Sequence, residues 1–388
     1  MKLIRHKEGG TVLLVPDVSL SQDPPPTSPV FFNPAASLNR DVSVALASAS
    51  GGGTFCDSMA GVGARGVRVA NEVKGATEVT LVDFNEKALA AARRAAAANA
   101  VSRKLRFAVS ETGSFLFSRF GRGQKFDFVD VDPFGSPARY LQAGISATAD
   151  GGILSVTATD TAVLCGVHRA TCLRRYGSAP LNNRFHHETG VRILLASMAR
   201  QGAAIDAGIE PVAAHSTRHY IRIYARVRAG ASAAEASLEG VGTISWCPAC
   251  GDALAPHDGD PACGVCGGKL KVAGPLWSGK VVDEKLVEDA RKEAAARGLY
   301  RGAEVLGSLA GVDNFPPWSF DIAEVCSRLN APTVPELEVV RRLTGGGYRV
   351  MRTPFEGEGL KTDAPYGDVV EAVKSASSGA AAARPRSA

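Results

Sequence analysis

The sequence lacks a long apolar run near its start. The longest such stretch there, residues 11–15, is far too short for a signal-peptide core or a membrane span. The chain also lacks the composition of a disordered protein, because hydrophobic residues make up 45% and charged residues 21% of its 388 positions. We therefore expect a cytoplasmic protein with no membrane partner and with two or three domains; a monomer is favoured.

The chain has no large excess of either charge, since 44 basic residues stand against 39 acidic ones. The distribution is uneven, however, because residues 166–230 hold ten arginines and three acids. Arginine suits bidentate phosphate contacts and stacking on bases, so this segment predicts a polyanion-binding face. An arginine-rich composition of the whole chain is the alternative explanation. The ten are Arg169, Arg174, Arg175, Arg184, Arg192, Arg200, Arg218, Arg222, Arg226 and Arg228.

Cysteines are few for the length and unevenly spread. Four of the eight form two C-x2-C pairs separated by twelve residues, a spacing typical of a metal site and not of a disulfide framework. Two thiolate knuckles close a tetrahedral sphere around zinc, and no open ligand position is indicated, so the pattern predicts structural zinc. The four predicted ligands are Cys247, Cys250, Cys263 and Cys266.

Strand-like and helix-like stretches alternate after residue 53, the pattern of a parallel sheet with crossover helices. The last two predicted strands are separated by only a few residues, so they should pair as an antiparallel hairpin. This ending favours a class I methyltransferase sheet, Rossmann-like with seven strands, over an NAD-binding domain. The predicted strands cover residues 54–57, 79–83, 105–109, 126–131, 152–157, 209–215 and 220–227.

The predicted domains follow from shifts in composition. Residues 1–50 read as an irregular extension that packs on a catalytic α/β domain at 51–240, whose last dozen residues look like a linker. Residues 241–374 form a smaller C-terminal α/β domain with the cysteine knuckles at 247–266. The Ala/Ser/Gly/Arg-rich tail, 375–388, is predicted to be disordered.

A glycine loop follows the first predicted strand and reads Gly61-Val62-Gly63-Ala64-Arg65-Gly66, a literal G-x-G-x-x-G. Such a turn admits a dinucleotide and equally the amino-acid part of S-adenosylmethionine. Asp83, at the end of the next strand, supports either ligand by accepting hydrogen bonds from ribose hydroxyls. The loop alone leaves this choice open.

The string Asp132-Pro133-Phe134-Gly135-Ser136-Pro137 at the end of the fourth strand favours methyl transfer to a base amino group. The lone pair of such a nitrogen is delocalised into the ring, so an acceptor carboxylate that holds the amino hydrogens can orient the nitrogen toward a sulfonium methyl. An adjacent aromatic ring can stack on an extruded base. Asp132 and Phe134 are the predicted catalytic residues.

These strings together resemble the tRNA (guanine-26, N2)-dimethyltransferase family of archaeal type over nearly the whole chain. The resemblance implies transfer of one and then two methyl groups from S-adenosylmethionine to N2 of guanine 26, with tRNA as the partner. The shared strings include Asn39-Arg40-Asp41, Asp132 to Pro137, Thr159-Asp160-Thr161, His187 to Gly190 and Gly274 to Gly279. The predicted cofactor contacts, from the glycine loop and the family pattern, are Arg40, Asp57, Gly61, Arg65, Asp83, Glu111 and Thr112.

Three other interpretations stay open on the sequence. The same chemistry permits methylation of another amino group, such as adenine N6. A non-catalytic RNA-binding protein could retain the fold, although the intact glycine loop, Asp83 and Asp132 argue against such loss of function. An NAD-dependent dehydrogenase is the weakest alternative, because hydride transfer has no evident use for Asp132-Pro133-Phe134.

Overall fold

The computed structural model describes residues 2–217, 219–255, 262–355 and 358–382. The N-terminal segment is not irregular, contrary to the sequence prediction, but forms a β-hairpin and two helices. The second strand is almost wholly buried, so its sequence is a short apolar run without the alternation that marks a strand. The elements are β1 (Leu3–Glu8), β2 (Thr11–Pro16), α1 (Val18–Ser21) and α2 (Ser37–Ala49).

A seven-stranded sheet forms the centre of the molecule, in the order β5-β4-β3-β6-β7-β9-β8. All pairings in this sheet are parallel except those of β9, which runs antiparallel to both of its neighbours. The structure thus confirms the predicted final hairpin and the methyltransferase type of sheet. The strands are β3 (Gly53–Asp57), β4 (Ala76–Asp83), β5 (Leu105–Val109), β6 (Phe126–Val131), β7 (Thr148–Ala158), β8 (Ala207–Thr217) and β9 (Tyr220–Ala229).

Helices connect these strands and cover the sheet. Val129, Leu154 and Val156 are wholly buried, as expected for strands covered on both faces. Because β3, β4 and β6 are parallel, their carboxyl ends meet at one edge, which brings the segments that follow them together. The connecting helices are α3 (Ala64–Glu72), α4 (Glu86–Ala98), α5 (Thr112–Phe120), α6 (Leu141–Ala147), α7 (Thr161–Leu164), α8 (Arg169–Tyr176) and α9 (His186–Ala203).

The N-terminal hairpin is attached to the sheet domain through buried ion pairs. Arg68 of α3 is wholly buried and donates from Nη1 to Glu8 of β1 at 2.9 Å. Arg40 of α2 donates to the same carboxylate from Nε at 2.6 Å. The packing of the N-terminal hairpin against the sheet and its helices therefore rests on charge pairing as well as on apolar contact.

The predicted linker is instead a helix, α10 (Ala231–Glu239), that packs on β8. A Cβ on Gly208 of β8 would lie 2.1 Å from the carbonyl oxygen of Ala233, so the two backbones approach closely. Ser237 accepts a hydrogen bond from the Ile209 amide at 3.1 Å. The small residues that suggested a flexible segment are those that permit this close packing.

The described residues of the C-terminal part form a small antiparallel sheet, five α-helices and a two-stranded antiparallel pair, β13 with β14. The main apolar core continues from the central sheet into α11 and α12, whereas residues 320–376 build a second core. The tail predicted to be disordered from residue 375 is helical through Ala382, and its remainder lies outside the described residues. The elements are β10 (Val241–Trp246), β11 (Ala253–Leu254), β12 (Lys271–Trp277), α11 (Glu284–Ala296), α12 (Tyr300–Ser308), α13 (Ile322–Arg328), α14 (Glu336–Gly345), β13 (Val350–Arg352), β14 (Leu360–Thr362) and α15 (Tyr366–Ala382).

Candidate active site and metal centre

The glycine loop lies between β3 and α3, at the carboxyl edge of the sheet. Gly61 and Gly63 have φ values of +53° and +75°, which favour glycine. A Cβ on Gly63 would lie 2.7 Å from the side chains of both Leu81 and Ala92. Glycine at this position therefore lets the loop lie against β4 and α4. The bare backbone at Gly61 and Gly63 forms a concave surface at the sheet edge, here called the cradle.

Two carboxylates fix this loop. Asp83, at the end of β4, accepts the Gly61 amide on Oδ2 at 2.7 Å and the Asn85 amide on Oδ1 at 2.8 Å. Asp57, at the end of β3, is buried and accepts the Gly66 amide on Oδ2 at 2.9 Å. Both predicted cofactor residues thus lie beside the cradle and hold its shape through backbone N–H groups.

The predicted catalytic residue Asp132 follows β6 directly and forms an ion pair with Arg65 of α3. Its side chain is 27% exposed, so it can be reached from solvent. Burial alone would raise the pKa of Asp132, but the guanidinium groups of Arg65 and Arg222 outweigh it and hold this pKa below its usual value. Asp132 is therefore a carboxylate at neutral pH.

Phe134 is 71% exposed beside Asp132, an unusual position for a large apolar ring. Its ring meets that of Phe31 edge to face, with centroids 4.8 Å apart and an interplanar angle of 73°. Phe31 belongs to the N-terminal segment, and sequence reasoning assigned it no role. The signal available was the pair Phe31-Phe32 beside Asn33-Pro34, in which Phe32 is buried and Phe31 is partly exposed.

Sequence reasoning also missed a buried pair behind the site. Asp130 of β6 and Arg222 of β9 are both wholly buried and form an ion pair, and Asp130 also accepts from Ser155 Oγ at 2.7 Å. Its other oxygen, Oδ1, lies 3.2 Å from Arg65 Nε. The available signal was a charged residue inside strands whose other positions are apolar, because buried charges are rarely left unpaired.

The candidate site carries an excess of negative charge when Asp57 is ionised. Asp57, Asp130 and Asp132 surround Arg65 and Arg222, which is three carboxylates against two guanidinium groups. Burial, and next the charge of Asp130, raise the pKa of Asp57 to about 7. A cationic ligand at this edge would neutralise the excess, and this donor set therefore fits a sulfonium group.

The other predicted cofactor residues lie around this edge but have partners of their own. Arg40 pairs with Glu8 and also donates to the Asn33 carbonyl oxygen at 3.0 Å. Glu111 caps α5 by accepting the Ser114 amide at 2.8 Å, and this bond in particular lowers its pKa. Thr112 donates to the carbonyl oxygen of Ser58, which lies between Asp57 and the glycine loop, at 2.6 Å.

The four predicted zinc ligands come together in the C-terminal part. Their sulfur atoms all lie within 4.8 Å of one another. Cys247 and Cys266 are separated by 3.5 Å and Cys250 and Cys263 by 3.6 Å between Sγ atoms. Tetrahedral zinc with Zn–S bonds of about 2.3 Å requires sulfur separations of about 3.8 Å, so the cluster fits a closed zinc site.

Comparison with known proteins gives the family. A family model described as "N2,N2-dimethylguanosine tRNA methyltransferase" matches residues 9–374. The chain belongs to this family. The match spans the glycine loop, the Asp132–Pro137 segment and the four cysteines.

Archaeal members of the family are similar over nearly their full length. The protein named tRNA (guanine(26)-N(2))-dimethyltransferase from Methanothermobacter thermautotrophicus is 35% identical, over 95% of this chain and 98% of that protein. The protein of the same name from Aeropyrum pernix is 34% identical, over 96% of this chain and 97% of that protein. The structure of Trm1 from Pyrococcus horikoshii with S-adenosyl-L-methionine matches with a TM-score of 0.84 at 32% identity. That match covers 95% of this chain and 99% of the Pyrococcus chain, so this protein has the whole Trm1 fold.

The arginine-rich segment of this family member is not one face, which corrects the sequence prediction. Arg192 and Arg222 are buried in ion pairs, and Arg200 donates to backbone carbonyl groups. The sequence pattern could not separate these from surface arginines, because buried ion pairs depend on partners distant in sequence. Arg218 lies outside the described residues. Exposed guanidinium groups concentrate on and around α8, at Arg169, Arg174, Arg175 and Arg184.

In the part of the chain that the structure describes, no helix combines the length and the apolar character needed to cross a membrane.

Proposed function

We propose that this protein transfers methyl groups from S-adenosylmethionine to N2 of guanine 26 in tRNA, first one and then a second. One observation carries the proposal: the ionised Asp132 carboxylate, held by Arg65, lies beside the exposed ring of Phe134 at the cofactor edge of a methyltransferase sheet. The names of the archaeal relatives support the same substrate and position.

The cofactor is expected in the cradle between β3 and β4. When bound, S-adenosylmethionine supplies an electrophilic methyl group on a sulfonium. The bare backbone at Gly61 admits its amino-acid part, and Asp83 accepts hydrogen bonds from the ribose. Asp57 contributes negative charge, and Arg40, Glu111 and Thr112 are proposed to complete the site.

Asp132 is proposed to orient the acceptor nitrogen. Arg65 donates to one oxygen of Asp132, Oδ2, and the carboxylate keeps lone pairs that can accept an N–H of the guanine amino group. This hydrogen bond directs N2 toward the methyl group and increases electron density on the nitrogen. After one transfer N2 still has one N–H, so the same contact can orient the second transfer.

Phe134 is proposed to stack on the extruded guanine, and Phe31 to hold the Phe134 ring in place. Stacking of a base on an aromatic ring contributes about 1–3 kcal/mol and offsets part of the cost of extruding the base. The exposed arginines around α8 are proposed to contact the tRNA backbone. The zinc site is proposed to be structural, and a cytoplasmic, monomeric enzyme stays a prediction.

The test is methylation of unmodified tRNA with labelled S-adenosylmethionine, followed by nucleoside analysis. The expected products are N2-methylguanosine and then N2,N2-dimethylguanosine at position 26. Asp132→Asn should lower the rate about a hundredfold or more while cofactor affinity is retained. Asp127→Asn is the matched control, because Asp127 is an exposed carboxylate near the amino end of β6, opposite the end that Asp132 follows, and accepts hydrogen bonds from Thr54.

Different products would contradict the proposal. N6-methyladenosine as the product would favour the adenine alternative, and no methylated nucleoside with tRNA would reject the proposed activity. A variant with asparagine at position 132 that turns over at the normal rate would remove the role given to Asp132.

A further inference from the structure

The segment Asp132–Pro137, here called the catalytic loop, is bonded to the chain that follows β7. The Gly135 amide donates to Thr159 Oγ1 at 2.6 Å, and the Thr159 amide donates to the Gly135 carbonyl oxygen at 2.9 Å. Gly135 has a φ of +77°, so the loop turns at this point. The position of the loop therefore depends on residues 159–160 as well as on β6.

A buried tyrosine makes the next contact. Tyr176, the last residue of α8, donates from its hydroxyl to Asp160 Oδ1 at 2.7 Å. Ser136 Oγ lies 2.7 Å from the same hydroxyl, and since the single proton of Tyr176 goes to Asp160, Ser136 is the donor in that bond. Burial and the Asp160 charge raise the pKa of Tyr176, so the hydroxyl keeps its proton.

Asp160 also binds an arginine whose side chain is partly exposed to solvent. Arg175 Nη1 donates to Asp160 Oδ2 at 3.0 Å, with 43% of the Arg175 side chain exposed and 7% of the Asp160 side chain. A guanidinium has five N–H groups, so Arg175 can bind a phosphate without leaving Asp160. Arg174 is exposed on the same helix but has no ion pair within the described part of the chain. Arg175 is thus connected to the catalytic loop through Asp160 and Tyr176, whereas Arg174 lacks this connection.

We propose that Asp160 and Tyr176 are positioning residues that couple a tRNA backbone phosphate on Arg175 to the catalytic loop through Ser136. This inference rests on the proposed function and extends it, because it makes α8 both a contact surface for tRNA and a support for the loop that holds Asp132 and Phe134. Binding of the correct RNA then orders the loop in the arrangement that the transfer requires.

Steady-state kinetics of a double-mutant cycle test the coupling. Tyr176→Phe removes only the hydroxyl and should lower kcat about tenfold, with the KM for tRNA and the affinity for S-adenosylmethionine little changed. Arg175→Gln should raise the KM for tRNA and also lower kcat. Arg174→Gln, the matched control, should raise this KM alone. In the double variant, kcat should fall no further than in Tyr176→Phe.

Hydrogen exchange provides a readout that does not need turnover. Addition of tRNA should slow amide exchange in residues 132–137 of the unaltered protein, and this protection should be lost in Tyr176→Phe. Equal protection in both proteins, an unchanged kcat in Tyr176→Phe, or independent effects of the two substitutions on kcat would each overturn the coupling. An unaltered protein that shows the protection but forms no methylated guanosine would instead reject the proposed function and leave the coupling supported.

Discussion

At the scale of single residues, two aspartates of the candidate site have opposite pKa shifts although both lie at carboxyl ends of strands on the same edge of the sheet. Asp132 is paired directly with Arg65, and its pKa is lowered. Asp57 is bonded to a backbone amide and lies near Asp130, so burial and repulsion dominate and raise its pKa to about 7. The partners of each carboxylate therefore decide its charge at neutral pH.

Cofactor affinity should depend on pH through Asp57. Below its pKa of about 7 the carboxyl is protonated and gives no attraction to a sulfonium, and above that pH it is ionised and attracts the cation. The affinity for S-adenosylmethionine, measured by calorimetry, should therefore rise severalfold between about pH 6 and about pH 8. Neutral S-adenosylhomocysteine is the matched ligand and should show a flatter profile.

Asp57→Asn should remove the difference in pH dependence between the affinities for S-adenosylmethionine and S-adenosylhomocysteine, because asparagine does not ionise. An S-adenosylmethionine profile in Asp57→Asn as steep as in the unaltered protein would contradict the assignment to Asp57.

At the scale of elements, the cysteine knuckles connect the three strands of a short sheet, β10, β11 and β12. The first knuckle, with Cys247 and Cys250, lies between β10 and β11. The second knuckle, with Cys263 and Cys266, lies between β11 and β12. In each knuckle the chain turns back on itself, since the Gly251 amide donates to the Cys247 carbonyl oxygen at 2.9 Å and the Gly267 amide to that of Cys263 at 2.8 Å. We therefore expect metal binding to stabilise this region.

Removal of one ligand should release the metal. The purified protein should contain about one zinc per chain, and Cys263→Ser should reduce this content strongly and lower the thermal midpoint, because metal binding contributes directly to folding free energy. Cys326→Ser, outside the knuckles, is the control and should keep its zinc. Cofactor affinity should be unchanged in both, and a parallel loss of cofactor binding in Cys263→Ser would contradict a purely structural metal.

Elements also show where pattern reasoning succeeds and fails. Strands β5 and β6 cover the predicted residues, because each is a short run of mainly apolar and β-favouring residues bounded by polar turns. The helix α10 was predicted as a linker, since its small residues carry little apolar signal. What stabilises it is close contact with Gly208 of β8, which no local pattern reveals.

At the scale of the whole molecule, a buried ionic cluster joins the C-terminal part to the catalytic domain. Lys361 of β14 is wholly buried and donates to Glu188 Oε2 of α9 at 2.7 Å. It also donates to the carbonyl oxygens of Pro316 and Trp318 at 2.8 and 3.1 Å. Arg192 forms an ion pair with the other carboxylate oxygen of Glu188, Oε1. The two parts are thus connected by charge as well as by apolar contact.

Loss of Lys361 should destabilise the protein strongly. Lys361→Met leaves Glu188 with Arg192 alone and leaves two carbonyl oxygens without this donor, which should cost about 3–5 kcal/mol. The measurement is chemical denaturation, and Lys374→Met on the exposed side of α15 is the control. A loss in Lys361→Met no greater than in Lys374→Met would show that the cluster contributes little to stability.

The sequence by itself determined the type of sheet and the short-range features of the candidate site: the glycine loop, Asp132 with Phe134 at a strand end, and the spacing of the four cysteines. These features are local: a glycine turn, a strand end and a cysteine spacing each require particular residues at fixed short separations. The tertiary structure alone decided which charges face inward. Arg222 and Lys361 appear in the sequence as ordinary basic residues, and only folding brings Asp130 and Glu188 to them. Phe31 likewise reaches Phe134 across about a hundred residues, because buried ion pairs and ring contacts form between elements that the chain brings together from distant positions.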